Sequence, residues 1–179
     1  FGNAEAGNDL TELLSRLKPD LLFDIVVPSA RNEVVTQGFA AGCDVLSEKP
    51  MANSLDEAKA LLDVRRDQGR VHAVIQNRRF LPGIRRAKQF LDQGGIGRIA
   101  EVHCDFFIAP HFGGFREEMD HVLLHDMAIH TFDAARFVAG LEPRRVFCHE
   151  SNPYHSWYRH GASAAAIFDC HDNVTMTYR

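Results

Sequence analysis

Residues 21–50 read LLFDIVVPSARNEVVTQGFAAGCDVLSEKP, and this stretch decides the fold. Leu21 to Val27 is a short apolar run with β-branched residues, the pattern of a buried parallel strand. Asp24 is the anomaly inside it. It reads equally as a buried, hydrogen-bonded carboxylate near a cleft and as a solvated strand end. Pro28-Ser29-Ala30 breaks the run, and a helix is expected to reach Ala41, with Gly42 as its stop. Cys43 to Ser47 reads as a second strand, followed by Glu48-Lys49-Pro50. Ser54-Leu55-Asp56-Glu57 is a capping box whose helix ends near Gly69, and Val71 to Gln76 reads as a third strand. Upstream, Asp9-Leu10-Thr11-Glu12 opens a short helix closed before Pro19. Alternating strands and helices predict an α/β, doubly wound parallel sheet.

The pattern changes near Arg78–Leu81. Pro82 opens a helix ending at Gly94-Gly95, and Arg98 to Ile108 reads as a longer strand. Strands are expected near Arg144–His149, Ala162–Asp169 and Val174–Tyr178, with Asp172-Asn173 as the last turn. These elements predict a separate α+β domain with a mainly antiparallel sheet. No repeat or low-complexity segment is visible.

Between these strands lies Leu123 to Gly140, LLHDMAIHTFDAARFVAG, a helix apolar on most of its circumference and therefore buried. Asp126, His130 and Asp133 share one stripe of about 60° at ~100° per residue. Such a stripe must be satisfied internally or face a cavity. An Asp one turn before a His can hold its tautomer, as in a general acid/base pair or in an ordinary core histidine.

Composition narrows the class. With 45% hydrophobic and 25% charged residues, a packed core is expected. The net charge of −4 offers no basic surplus, so nucleic acid is not an expected partner. The four cysteines lie apart in sequence without CxxC spacing, which suits a reducing cytoplasm. No apolar run is long enough to span a membrane. The chain begins with Phe1, which leaves an upstream targeting segment open.

In an open α/β sheet, ligands sit outside the carboxyl ends of the strands, where Glu48-Lys49-Pro50 falls. Pro50 biases Lys49 toward an extended backbone and permits a cis bond, so the lysine would be aimed reproducibly. A partly desolvated lysine can trade a proton near neutrality.

In this order and spacing, the first strand, the break at Pro28-Ser29-Ala30-Arg31, Gly42, Glu48-Lys49-Pro50, Asn77-Arg78-Arg79-Phe80 and the Asp126/His130/Asp133 helix resemble the glucose–fructose oxidoreductase / inositol dehydrogenase / rhizopine-catabolism (Gfo/Idh/MocA) family. The resemblance runs from about Asp9 onward. It implies that residues 1–78 are the second half of a Rossmann dinucleotide-binding domain. Residues 79–179 would then be a partial domain for substrate binding and homo-oligomerisation. It implies an NAD- or NADP-dependent dehydrogenase acting on a CH–OH group of a sugar, polyol or related small molecule. Lys49 would be the principal acid/base residue, with Asp126 and His130 completing the catalytic set. Glu48 would bond the nicotinamide-side ribose, and Pro28, Ser29, Asn32, Asn77 and Arg116 would lie near the cofactor. No metal is required.

The chain departs from the family by lacking a Gly-rich dinucleotide loop; Gly94-Gly95-Ile96-Gly97 and Gly113-Gly114 read as turns. Three strands are few for a doubly wound sheet, and the last strand runs to Arg179. The chain therefore reads as an internal piece of a longer enzyme, with little cofactor affinity or activity of its own. Two further readings differ in class. One is a non-catalytic dinucleotide sensor or scaffold on the same fold. The other is a zinc hydrolase using His121, His125 and His130. Trp157-Tyr158-Arg159-His160 reads as a substrate-facing loop or as packing at a domain edge.

Overall fold

The computed structural model describes residues 4–179. The chain divides into two compact units, one ending at Ile75 and the other beginning at Gln76.

The first unit runs α1 (Leu10–Leu17), β1 (Leu21–Asp24), α2 (Pro28–Ala40), β2 (Asp44–Ser47), α3 (Leu55–Asp67) and β3 (His72–Val74). The strands form a parallel sheet in the order β1-β2-β3, with Leu22 opposite Val45 and Leu46 opposite Ala73. Both capping residues act as their sequence demands. Asp9 accepts from the Glu12 N–H at 3.0 Å and Ser54 from the Glu57 N–H at 3.1 Å. β1 is shorter than its apolar run. The Asp24 side chain accepts the Val26 N–H at 3.1 Å, which turns the chain out of the ladder. Pro28 then begins α2 instead of separating it from the strand, since its fixed φ and missing N–H suit a first helical turn. At Gly38 the helix comes so close to the sheet that a Cβ would stand 2.7 Å from Leu22 Cδ2. Val35, Phe39, Val45, Ala52 and Leu61 form the core.

The second unit runs α4 (Pro82–Asp92), β4 (Glu101–Cys104), a π-helical segment (Val122–Ala128), α5 (Ile129–Ala139), β5 (Pro143–Ser151), β6 (Ser163–Cys170) and β7 (Thr175–Tyr178). Its sheet has the order β4-β7-β6-β5, antiparallel except for the β4–β7 pair. Asp172 and Asn173 make the β6–β7 connection, both at φ 59°, a conformation Asp and Asn tolerate better than most residues.

Two expectations in the second unit also need correction. The strand expected over Arg98–Ile108 is regular only over Glu101–Cys104, although the Arg179 N–H still donates to the Cys104 carbonyl at 3.1 Å and the Phe106 N–H to the Arg179 carbonyl at 2.7 Å. The helix expected from Leu123 is π-helical through Ala128 and becomes α-helical only at Ile129. Gly140, at φ 66°, does terminate it.

Phe132 of α5 meets Phe168 and Tyr178 edge-on, with ring centroids 5.3 and 4.9 Å apart. The Tyr178 hydroxyl is buried with no hydrogen-bond partner among the described residues, and burial pushes its pKa up to about 12. No described helix is long and apolar enough to cross a membrane. An unsatisfied buried hydroxyl costs about 1–3 kcal/mol. Tyr178→Phe is therefore expected to raise unfolding stability by roughly 1 kcal/mol, measured by urea denaturation, and a loss would refute the assignment.

Candidate functional site

In the first unit, the carboxyl edge of the sheet is organised by one buried arginine. Arg31 lies in the first turns of α2 and is 1% exposed. Its Nε donates to Asp24 Oδ2 at 2.6 Å, its Nη1 to the Pro50 carbonyl at 2.7 Å and its Nη2 to the Val26 carbonyl at 2.8 Å. One guanidinium thus joins the end of β1, the loop before α2 and the loop after β2. The planar fork of arginine can serve three acceptors in this way, which an ammonium could not do with the same geometry. Of the two readings of Asp24, the buried and bonded one is correct.

Glu48-Lys49-Pro50 follows β2 directly. The Glu48 N–H continues the ladder to the Asp24 carbonyl at 2.8 Å. The Lys49 N–H donates to Glu48 Oε2 at 3.3 Å, and the Lys49–Pro50 bond is cis. Asn53 Nδ2 donates to the Pro28 carbonyl at 3.1 Å, tying this loop to the start of α2. Pro28, Ser29, Glu48 and Lys49 are therefore held at one edge of the sheet. Pro28 is buried, Ser29 exposed, and Asn32 half-buried farther along α2. Beneath them His72 Nε2 lies 2.9 Å from the Ser47 hydroxyl. Burial is the main cause holding its pKa below the ordinary value, with nearby Asp24 opposing the shift.

In the second unit, Asp126, His130 and Asp133 are all buried, as the helical stripe requires. Arg116 Nε donates to Asp126 Oδ2 at 2.7 Å. The Arg116 guanidinium also stands 5.1 Å from the Phe112 ring centre and 4.6 Å from that of Phe115. Asp133 receives both Nε, at 2.9 Å, and Nη2 of Arg79. Arg79 also lies over Phe137, and Arg78 over Phe106. The Arg78-Arg79 pair is thus engaged inside its own unit. Asn77 opens the short 3-10 turn before α4 and is exposed.

His121 precedes the π segment and its Nδ1 is 2.6 Å from Glu150 Oε2. His125 is half-buried, with its pKa lowered by burial and then by His121. Among the described residues no group of three or more His, Cys, Asp or Glu side chains could hold a metal ion.

The sequence carried a weak signal for Arg31: an arginine seven positions after an acidic residue in an apolar strand. It carried none for the pairing of Arg79 with Asp133, 54 positions away. A π turn also spaces side chains differently from the 3.6-residue period used to define the stripe.

Comparison with known proteins follows these features. Residues 2–76 match the oxidoreductase family with an NAD-binding Rossmann fold, and residues 84–179 match the GFO/IDH/MocA C-terminal domain. The class is that of the oxidoreductase family with an NAD-binding Rossmann fold. The chain belongs to the Gfo/Idh/MocA family. An uncharacterized oxidoreductase of Schizosaccharomyces pombe is 32% identical over 139 residues, covering 75% of this chain and 38% of that protein. Levoglucosan dehydrogenase of Pseudarthrobacter phenanthrenivorans is 29% identical over 150 residues, covering 78% and 38%. The fold is shared with an inositol dehydrogenase homolog from Azotobacter vinelandii solved with NAD+. The TM-score is 0.84 at 17% identity, with 95% of this chain and 49% of that one covered. The chain thus spans about two fifths of those curated relatives' length.

The donor set fits the nicotinamide side of such a cofactor. Glu48 presents a carboxylate and Ser29 a hydroxyl, groups that sugar hydroxyls can bond, and the N-terminus of α2 carries no side-chain cap. Gly94 and Gly97 follow α4, and Gly113 and Gly114 precede the π segment, all at positive φ. Gly113 and Gly114 begin only the short 3-10 turn Gly114–Glu118, well beyond the end of β4, and not a helix that directly follows a parallel strand.

Removing one partner of a buried ion pair strands the other. Arg31→Met is expected to cost about 3–5 kcal/mol in chemical denaturation, with Asp24→Leu in the same chain restoring part of it. For His72 the folded pKa lies below the unfolded value near 6.5. As pH falls below about 6.5, the unfolded chain binds the proton first, so the stability present above that pH is lost. His72→Gln is expected to shrink this acid-side loss, measured as urea midpoint against pH.

Proposed function

We propose that the full-length protein is an NAD(P)-dependent dehydrogenase acting on a hydroxyl or carbonyl carbon of a sugar, polyol or related small molecule. The observation that carries this reading is the rigid mounting of Glu48-Lys49-Pro50 at the carboxyl edge of a parallel sheet. Arg31 grips the Pro50 carbonyl at 2.7 Å while bonded to Asp24. A lysine held on so fixed a base suits proton transfer, which demands accurate positioning. Family membership and the sugar dehydrogenases among the relatives support the same class.

In this proposal a bound nicotinamide supplies or accepts the hydride. In the oxidative direction Lys49 takes the proton from the reacting hydroxyl; in the reductive direction it returns it. Asp126 and His130 complete the acid/base set and orient the substrate. Asp126 does so from a fixed position, since Arg116 clamps its carboxylate. Glu48 bonds the nicotinamide-side ribose. Pro28, Ser29 and Asn32 of α2 are the proposed cofactor residues of the first unit, and Asn77 and Arg116 those of the second. The choice between NAD and NADP belongs to residues that bind the adenosine side.

The open face of the second sheet supports homo-oligomerisation. Phe147, Ile167, Thr177 and His103 stand in register across its four strands, with Phe147 and Ile167 exposed. A cytoplasmic location accords with the isolated free cysteines.

Lys49→Met in the full-length protein is expected to lower turnover by at least ~10²-fold while leaving NADH binding within a few-fold. Turnover is read at the nicotinamide absorbance band with a panel of sugars and polyols, and binding by NADH fluorescence. Near-normal turnover in that variant would remove the lysine from its role. Cofactor binding with no turnover on any substrate would favour the sensor reading.

A further inference from the structure

The second unit contains a cavity of about 160 Å³ that the proposed chemistry does not use. Val122, Leu123 and Met127 of the π segment form one wall, and Phe112, Trp157 and Tyr158 form much of another. Of the polar side chains in the lining, those of Tyr158 and Ser156 are engaged, while His155 is exposed at the rim. The Tyr158 hydroxyl donates to the Pro110 carbonyl at 2.9 Å, and the Ser156 hydroxyl accepts the Tyr158 N–H at 3.1 Å. His111 Nε2 is 2.5 Å from Glu117 Oε1, and its ring stacks on Trp157 at 5.3 Å between centroids. What the cavity offers a guest is mainly apolar and aromatic surface, with the His155 imidazole as the polar exception at its rim.

That chemistry selects its occupant. A sugar hydroxyl placed against the apolar walls would lose water for few new partners. An apolar ring would not, and a volume of about 150 Å³ is large enough to take one benzene-sized guest, here in a pocket whose Trp157 wall is partly open to solvent. The same π segment that lines the cavity also carries Asp126. Phe112 links the two places, since its ring touches the cavity and lies 5.1 Å from the guanidinium that holds Asp126.

We infer that this cavity binds the apolar aglycone of a glycoside substrate, a single aromatic or alicyclic ring, while the sugar is held by Asp126 and His130. This rests on the dehydrogenase reading for the sugar end alone. The aglycone subsite stands on the cavity's own lining. The preferred substrates are then aryl or cycloalkyl glycosides, not free sugars.

Trp157 is the chain's one tryptophan, so its fluorescence reports occupancy of the cavity without any need for turnover. The full-length protein, or its Trp157 signal isolated by replacing other tryptophans with Phe, is titrated with phenyl glucoside, methyl glucoside and glucose. Phenyl glucoside is expected to shift the Trp157 emission at roughly 10–100-fold lower concentration than the other two, the range for burying one ring. The same ratio is expected in kcat/KM. Ala109→Leu, which fills the cavity from an exposed lining position, is expected to abolish the phenyl advantage and to leave turnover of methyl glucoside unchanged. Equal responses to phenyl and methyl glucosides, or a phenyl advantage that survives Ala109→Leu, would overturn the subsite. A phenyl-dependent shift without turnover of any sugar would instead overturn the dehydrogenase reading and leave the subsite standing.

Discussion

The first unit depends on the pair Asp24–Arg31. Two buried charges 2.6 Å apart would be a costly device if they served stability alone, since a buried pair seldom outperforms apolar packing. Here the guanidinium has two more acceptors, the carbonyls of Val26 and Pro50. Each belongs to a loop leaving the sheet at its carboxyl edge. Without a donor of this shape, both carbonyls would need another partner, and the loop leading into α2 and the loop carrying Lys49 would lose their common anchor. The pair thus converts a short strand and a turn into a rigid platform.

The second unit repeats this device with less burial. Asp126 and Asp133 each receive an arginine, Arg116 and Arg79, and each arginine also lies against phenylalanine rings. An aromatic face beside a guanidinium restrains its plane while leaving the N–H groups directed at the carboxylate. Carboxylates set on a buried helix are in this way both neutralised and oriented. The π-helical start of that helix belongs to the same local design. It supplies Asp126 to one neighbour, Arg116, and its apolar side chains to the cavity beside Trp157.

Much of the fold was legible in order. The capping boxes at Asp9 and Ser54, the stops at Gly42 and Gly140, and the turn at Asp172-Asn173 depend on contacts within a few residues, so local sequence records them. Lengths were less legible. β1 stops short because the Asp24 side chain captures the Val26 N–H, and β4 is regular only over Glu101–Cys104. Neither limit is written in the element's own composition. In the candidate site, the position of Glu48-Lys49-Pro50 at a strand end followed from the alternation of elements. The residues that fix it did not.

Sequence alone determined the parallel α/β unit, the following α+β unit, and the burial of Asp126, His130 and Asp133. Burial and strand or helix period are written locally, in which side chains can face a core. Only the tertiary structure decided who satisfies the buried carboxylates: Arg31 at seven positions' distance, Arg116 at ten and Arg79 at 54. A charge must find its partner across space, and several arginines in this chain are chemically equal to the task. Which one arrives is set by the packing of strands, loops and helices around it.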